Sequence, residues 1–148
     1  MKMHLPILVV DHQLPMRQAV CTVLRDIGFP EILEAASGAE AMRALKTNQV
    51  AAVISEWNMP GLSGLGLLRW TRSETALRDV PFLLVSAATE RERVRTAFDC
   101  GASEYLVKPY TAQDLANKIQ RILGKEQRES SLDASAGQIG RASCRERV

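Results

Sequence analysis

Four short apolar runs in the sequence are each followed within two residues by a side chain that can carry charge or make a strong hydrogen bond. These side chains are two carboxylates, Asp11 and Glu56, one hydroxyl, Ser86, and one amine, Lys108. Together such groups can bind an ion or orient a polar ligand. A hydrophobic core alone does not need this convergence of polar groups, so the pattern predicts a functional site.

The strands that must position these side chains are predicted from hydrophobic patterning. Five apolar stretches show no polar alternation, which is typical of strands buried on both faces of a parallel sheet. The predicted strands cover residues 7–10, 32–35, 51–54, 82–85 and 105–107.

Helical periodicity fills the segments between the predicted strands. The fourth helix is expected to begin at Thr89, with Glu92 at the spacing of a capping box and Phe98 facing inward. The fifth is expected to begin at Thr111, with Asp114 three residues later. The predicted helices lie within residues 15–27, 38–46, 64–72, 89–101 and 111–123.

Five strands alternating with five helices predict an α/β fold, a doubly wound parallel sheet with helices on both faces. Ligands of such folds bind outside the carboxyl ends of the strands, where the four polar side chains lie. The folded domain is expected to cover residues 1–124.

The composition sets limits on the function. The chain has 148 residues, enough for one domain, and its 46% hydrophobic and 24% charged residues exclude wholesale disorder. Nineteen Lys and Arg against 17 Asp and Glu give a net charge of +2, which is no argument for a nucleic-acid partner. No apolar run approaches the roughly 20 residues of a membrane span, so no membrane partner is expected.

The location is predicted from the amino terminus and the cysteines. The first residues are too short and too soon acidic to form a signal peptide. Cys21 and Cys100 lie in apolar helical patterns, which predicts buried thiols in a reducing compartment. A cytoplasmic location is therefore expected.

Several motifs resemble the receiver domain of bacterial response regulators, most closely the single-domain chemotaxis type, the CheY-like receivers. The likeness covers residues 5–124 and rests on the stretches ILVVDH, ISEWNMPGLSGLGLLRWTR, FLLVSAA and CGASEYLVKPYT. It implies the sheet order 2-1-3-4-5 and a role in two-component phosphorelay signalling. It also implies a signalling module that is not an enzyme.

The resemblance assigns a role to each matching residue. Such a receiver takes a phosphoryl group from a histidine kinase onto an aspartate after the third strand, with Mg²⁺ held by acidic residues. By position, Asp11 is a metal carboxylate, and the backbone carbonyl of Asn58 completes the metal shell. Ser86 is the switch hydroxyl and Lys108 the phosphate-contacting lysine. The family's cis peptide corresponds to Lys108–Pro109.

Two positions depart from the family pattern. His12 stands where the second acidic residue is expected, and Glu56 stands at the phospho-acceptor position. Imidazole is a poor ligand for Mg²⁺, so Asp11, His12, Glu56 and Asn58 make at best a weak magnesium site. His12 could instead hydrogen-bond a carboxylate or bind a softer metal with Asp11 or Glu56. The first of these alternatives is favoured.

The Glu56 side chain is one methylene longer than aspartate, by about 1.5 Å. Its carboxylate is expected to extend toward Lys108 and Ser86, into the space of a phosphoryl group. In-line transfer tolerates little misplacement, so the acceptor site is degenerate and ordinary aspartyl phosphorylation is excluded. Two interpretations stay open: Glu56 partly mimics a phosphoaspartate, or it marks loss of function with the fold kept for docking.

The resemblance also implies an output surface on the fourth helix, fifth strand and fifth helix, around Tyr105 and Lys118. Tyr105 matches the family's aromatic switch on the fifth strand. The expected partners are a histidine kinase or another signalling protein. Trp57 is interpreted as a residue of the pocket rim, and the run from Glu90 to Arg93 as a solvated helix face.

Residues 125–148 are polar and lack apolar periodicity, which predicts a disordered tail. Residues 139–148 resemble the translation of a sequencing adapter, so the native chain could be the amino-terminal receiver of a larger regulator whose output domain is missing. A flavin-binding electron carrier of the same fold is a third alternative. It is disfavoured because Asp11 places an acid where that fold would bind a phosphate.

Overall fold

Five strands alternate with five helices in the computed structural model, which describes residues 5–129. The strands are β1 (Ile7–Val10), β2 (Ile32–Ala35), β3 (Ala52–Glu56), β4 (Phe82–Ser86) and β5 (Glu104–Val107). The helices are α1 (Leu14–Asp26), α2 (Gly38–Thr47), α3 (Gly64–Ser73), α4 (Arg91–Asp99) and α5 (Ala112–Glu129).

The sheet is parallel throughout, with the strand order β2-β1-β3-β4-β5. Successive side chains of a strand point to opposite faces, so the sheet divides the core into two layers. Leu8 and Val53 belong to the layer that includes α2 and α3, whereas Ile7 and Leu83 belong to the layer that includes α1 and α5. The predicted fold class and strand order are confirmed.

Three helices begin with local hydrogen bonds that satisfy their first backbone N–H groups. The Ser37 hydroxyl accepts from the Glu40 N–H, and the Ser63 hydroxyl accepts from the Gly66 N–H. At α5, the Asp114 N–H donates to the Thr111 hydroxyl, while the Thr111 N–H donates to the Asp114 carboxylate. The predicted capping box of α5 is therefore formed.

The predicted start of α4 is wrong. The helix begins at Arg91 with Glu90 as its N-cap, and the Glu90 side chain makes no capping hydrogen bond. Phe98 is 40% exposed rather than turned inward, because Ala97 occupies the centre of the buried face. The spacing of Thr89 and Glu92 suggested a capping box. Residues 87–90, however, form the loop between β4 and α4, so Thr89 lies before the helix.

The predicted end of the domain also differs, because α5 continues through residues 125–129. Gly124 suggested a helix end, but within a helix glycine is only about 1 kcal/mol less favourable than alanine. Lys125 to Glu129 are all good helix formers. The rest of the predicted tail, including residues 139–148, lies outside the described residues.

The predicted burial of Cys21 and Cys100 is confirmed. Cys21 is a buried free thiol, and burial followed by the nearby Glu34 carboxylate raises its pKa. Cys100 is 3% exposed and so is buried as expected.

No helix within residues 5–129 is both long and apolar enough to cross a membrane.

Candidate functional site

The carboxyl ends of β1, β3, β4 and β5 bring the predicted site residues to one rim of the sheet. Asp11 follows β1 and Lys108 follows β5, while Glu56 and Ser86 are the last residues of β3 and β4. In the parallel register Glu56 is paired with Val85 and Ser86 with Val107. The four side chains therefore share the rim at which α/β sheets bind ligands.

Glu56 forms an ion pair with Lys108 across this rim. Its Oε1 atom accepts a hydrogen bond from the Lys108 ammonium, and its Oε2 atom accepts one from the Asn58 backbone N–H at 3.2 Å. The Glu56 side chain is 6% exposed and that of Lys108 is 21% exposed. A buried carboxylate needs such partners, because an unpaired charge in the interior is strongly unfavourable.

Gly64 keeps the backbone of Glu56 close to the start of α3. A Cβ atom at residue 64 would lie 2.1 Å from the Glu56 carbonyl oxygen, far inside van der Waals contact. The Gly64 N–H donates to the Trp57 carbonyl at 2.8 Å. The turn that carries the acceptor position is thus fixed by direct packing of α3.

Ser86 is completely buried, but it does not bond Glu56. Its hydroxyl oxygen accepts a hydrogen bond from the Ala88 N–H at 3.1 Å, and its carbonyl accepts one from the Lys108 N–H at 2.9 Å. No hydrogen bond joins the Ser86 and Glu56 side chains within residues 5–129. The Glu56 carboxylate was expected to extend toward Lys108 and Ser86, and it contacts Lys108 but does not bond Ser86.

Asp11 and His12 are adjacent but not hydrogen-bonded. The His12 Nδ1 atom lies 3.8 Å from the Asp11 Oδ1 atom, which is too long for a hydrogen bond. The Asp11 Oδ1 atom accepts the Gln13 N–H at 2.9 Å, while the His12 side chain is 36% exposed. The favoured prediction of a hydrogen bond between His12 and a carboxylate is thus wrong within the described residues, because the Gln13 amide satisfies the Asp11 oxygen locally.

The donor set fits Mg²⁺ poorly. Mg²⁺ prefers about six oxygen ligands, usually carboxylates and water, in octahedral geometry. Here Asp11 and Glu56 are the carboxylates of the rim, and the Glu56 charge is already balanced by Lys108. Within the described residues, no three His, Cys, Asp or Glu side chains are grouped closely enough to hold a metal ion.

Arg17 joins the ends of β1 and β2 beneath the site. Its guanidinium donates to the Asp11 carbonyl at 2.7 Å and to the Glu34 carboxylate at 2.9 Å. Tyr110, which follows the cis Lys108–Pro109 peptide bond, approaches the same rim. Burial raises the pKa of its phenol, and the Asp11 and Glu56 carboxylates raise it further. Sequence patterning gave no signal for these two residues.

An aromatic pair connects the acceptor position to β5. Trp57 and Tyr105 pack edge to face, with ring centroids 6.2 Å apart at 81°. The Tyr105 ring is buried, and its hydroxyl donates to the Ala88 carbonyl at 2.7 Å. Trp57 is 8% exposed, so its expected place on the pocket rim is wrong: the indole lies within the core.

The Arg93 guanidinium of α4 lies over the Trp57 indole, with its Cζ atom 4.2 Å from the ring centroid. Its Nε atom is buried and has no hydrogen-bond partner within the described residues. The expectation of a solvated face from Glu90 to Arg93 is therefore wrong at Arg93. The alternating charges of that run carry no signal for a contact with a residue about 36 positions earlier.

Lys118 is held by an acidic residue of β5. Its ammonium donates to one oxygen of the buried Glu104 carboxylate at 2.9 Å, and the Arg121 guanidinium donates to the other at 3.0 Å. Burial acts to raise the Glu104 pKa, but the bonds from Lys118 and Arg121 outweigh it, and the pKa lies below its usual value of 4.5. Sequence reasoning did not identify Glu104.

A parallel sheet of this order with acidic, hydroxyl and lysine side chains at its carboxyl rim defines the receiver class of doubly wound α/β proteins. The chain matches the response regulator receiver domain over residues 7–120. It therefore belongs to the response regulator receiver family. This membership favours a receiver over a flavin-binding electron carrier.

The chain is also similar to individual chemotaxis receivers. It is 39% identical over 116 residues to chemotaxis protein CheY of Pseudomonas aeruginosa, covering 78% of this chain and 94% of that protein. It is 38% identical over 119 residues to CheY-3 of Vibrio cholerae, covering 80% and 92%. The protein is thus a CheY-like receiver domain of two-component signalling, and receivers of this family are generally signalling modules without enzymatic activity.

Solved structures of receivers agree with this fold. The structure of CheY4 from Vibrio cholerae matches with a TM-score of 0.75 at 30% identity, covering 80% of this chain and 98% of that one. A receiver domain from Clostridium thermocellum matches with a TM-score of 0.74 at 30% identity, covering 83% and 97%.

Proposed function

We propose that this receiver docks onto signalling proteins without ordinary aspartyl phosphorylation. In its resting state the pocket holds the Glu56–Lys108 ion pair. The observation that carries the proposal is the buried Glu56 carboxylate, which stands at the acceptor position and is already neutralised by Lys108. The lysine that would receive a phosphoryl oxygen is engaged before any donor arrives.

The chemistry of phosphoryl transfer supports the same proposal. Transfer depends on positioning and on neutralising charge, usually with the help of Mg²⁺. In this pocket the acceptor is displaced by one methylene, and His12 replaces an oxygen donor. Any Mg²⁺ site formed by Asp11, Glu56 and Asn58 is proposed to be weak.

Partial mimicry of a phosphoaspartate is a second candidate, which the contact between Glu56 and Lys108 favours. A phosphoryl group carries more charge and more acceptor oxygens than one carboxylate. One such ion pair supplies about 1 kcal/mol, whereas reversing a 1:99 equilibrium needs about 5.5 kcal/mol. Because Glu56 is not bonded to Ser86, we expect a modest shift toward the active conformation rather than a locked state.

The partner surface is proposed to be α4, β5 and α5, with a histidine kinase or another signalling protein as partner and the cytoplasm as location. Tyr105 and Lys118 belong to this surface. Tyr105 is buried and Lys118 is ion-paired with Glu104, so both side chains are engaged within the domain. A partner that uses either group has to compete with an existing hydrogen bond.

Amide NMR spectra test the proposal in the absence of an identified partner. Spectra are recorded for the wild type, Glu56→Gln and the double variant Glu56→Asp with His12→Asp, each before and after Mg²⁺ with acetyl phosphate. The proposal predicts that only the double variant changes its spectrum across β4, α4 and β5. A comparable change in the wild type would refute it.

The same spectra separate the two interpretations of Glu56. Partial mimicry requires wild type and Glu56→Gln to differ without any donor, along the direction in which the double variant moves when it is phosphorylated. Identical α4 and β5 resonances in wild type and Glu56→Gln would end the mimicry interpretation and leave simple docking.

A further inference from the structure

Helix α4 is weakly anchored by apolar packing. It lies entirely within the described residues, and Ala97 is its one fully buried side chain. Phe98 is 40% exposed, and the Glu90 N-cap contributes no side-chain hydrogen bond. Elements with few buried apolar groups open most readily, so any specific contact that holds α4 has a large effect on its position.

Arg93 supplies such a contact. Its guanidinium lies against the face of the Trp57 indole at 4.2 Å, a distance at which cation and ring attract strongly. The Nε atom is shielded from solvent and bonds no acceptor within the described residues. Stacking rather than hydrogen bonding therefore places this side chain, and stacking requires the planar guanidinium of arginine.

The ring that Arg93 contacts is tied to the acceptor position. Trp57 directly follows Glu56, and its backbone N–H donates to the Val85 carbonyl at 2.8 Å. One oxygen of the Glu56 carboxylate accepts a hydrogen bond from the Asn58 N–H, which closes a turn around Trp57, and the other oxygen contacts Lys108. A change in the position or charge of this carboxylate therefore alters the turn that carries the Trp57 indole.

We infer that Arg93 is a positioning residue that latches α4 onto Trp57 and so couples the state of residue 56 to this helix of the output surface. The inference extends the proposed function. The coupling between residue 56 and α4 rests on the Glu56–Lys108 ion pair as the resting state of the pocket. The latch itself depends only on the contact between Arg93 and Trp57.

Hydrogen exchange of the α4 amides tests the latch on the full chain. Arg93→Leu is compared with Arg95→Leu, which removes the same charge from an exposed position of the same helix. Loss of the latch is expected to speed α4 exchange by about fivefold to tenfold in Arg93→Leu, with the β3 and β5 amides unchanged. Arg93→Lys, which keeps the charge but not the plane, should fall between wild type and Arg93→Leu.

Three results would overturn the latch. The first is α4 exchange in Arg93→Leu equal to wild type. The second is an equal acceleration in Arg95→Leu, which would make the effect one of helix charge. The third is an acceleration spread evenly over the sheet, which would give Arg93 a general structural role.

The coupling is tested by adding Glu56→Gln to wild type and to Arg93→Leu. In the wild-type background the change should alter α4 exchange by at least about twofold, and in Arg93→Leu it should have no further effect on α4. Equal responses in both backgrounds would refute the coupling. Because this comparison uses no phosphodonor, phosphorylation of the wild type would refute the proposed function while leaving the latch result intact.

Discussion

The Glu56 side chain occupies the position at which the receiver family carries its phospho-acceptor. A single added methylene moves the acidic group from the place of an acceptor toward Lys108, with which it forms a buried ion pair. That contact was predicted from the receiver resemblance, which places Lys108 beside the phosphoryl position that a longer acidic side chain extends toward. The Ser86 and His12 contacts were predicted incorrectly, because nearby backbone N–H groups satisfy Ser86 and Asp11 first.

A double-mutant cycle measures the strength of the ion pair between Glu56 and Lys108. Glu56→Gln, Lys108→Met and the combined variant are unfolded in urea beside the wild type. The free energies of unfolding should show a coupling of about 1 kcal/mol, since Lys108 is partly exposed and its charge is partly screened. Additive effects within about 0.3 kcal/mol would mean that the pair does not form in solution.

The contact of Arg93 with Trp57 could not be predicted from the sequence. The run of alternating charges around Arg93 is typical of a solvated helix, and only the tertiary position of Trp57 reveals the contact. The same holds for Glu104, which lies in a strand pattern and gains its partners from α5. Contacts between elements distant in sequence leave no local pattern.

Glu104 attaches α5 to the edge strand β5 through its bonds with Lys118 and Arg121. Its pKa is lowered in the folded protein, so its contribution to stability is present above the unfolded value of 4.5 and is lost as the pH falls through the folded value. Glu104→Gln should therefore lower the free energy of unfolding by about 1–2 kcal/mol at pH 7. The deficit should shrink progressively below pH 4.5.

Urea unfolding at a series of pH values checks this dependence, with Glu90→Gln as the matched control at an exposed position. The control should differ little from wild type at every pH. A Glu104→Gln deficit that stays constant from pH 7 to acid would show that the charge of Glu104 is not responsible.

The close contact of α3 with β3 depends on the absence of a side chain at Gly64. Gly64→Ala places a Cβ atom against the Glu56 carbonyl and should lower the free energy of unfolding by roughly 2–4 kcal/mol. Gly124→Ala, where a Cβ atom meets nothing within 4 Å, should instead raise it by about 0.5–1 kcal/mol. Chemical denaturation measures both variants. Equal effects of the two substitutions would contradict the packing described for Gly64.

The fold was predictable from sequence because the whole molecule is built from strong local patterns. Mostly apolar runs placed all five strands to within about two residues, although Glu34 interrupts the run of β2, and the resemblance supplied their order. Helix ends were less certain: Thr111 and Asp114 identified the start of α5 correctly, whereas Thr89 did not start α4 and Gly124 did not end α5. A residue with capping chemistry caps a helix only where the backbone around it enters the helix at that point.

Magnesium binding is a property of the whole rim. With Asp11 and Glu56 as its carboxylates and Glu56 paired with Lys108, Mg²⁺ is expected to bind on the order of tenfold or more weakly than at an intact acidic triad. Titration followed by Trp57 fluorescence checks this, with the His12→Asp and Glu56→Asp double variant as the comparison. Saturation of the wild type at sub-millimolar Mg²⁺ would contradict the expected weakness.

Intact-mass measurement after incubation with Mg²⁺ and acetyl phosphate shows whether this receiver takes up a phosphoryl group. The wild type, Glu56→Asp and the double variant with His12→Asp are compared before and after brief treatment with base. The proposed function predicts no added phosphoryl group on the wild type and an acid-stable, base-labile one on the double variant. A base-labile phosphoryl group on the wild-type protein would contradict the claim that this receiver works without aspartyl-type phosphorylation.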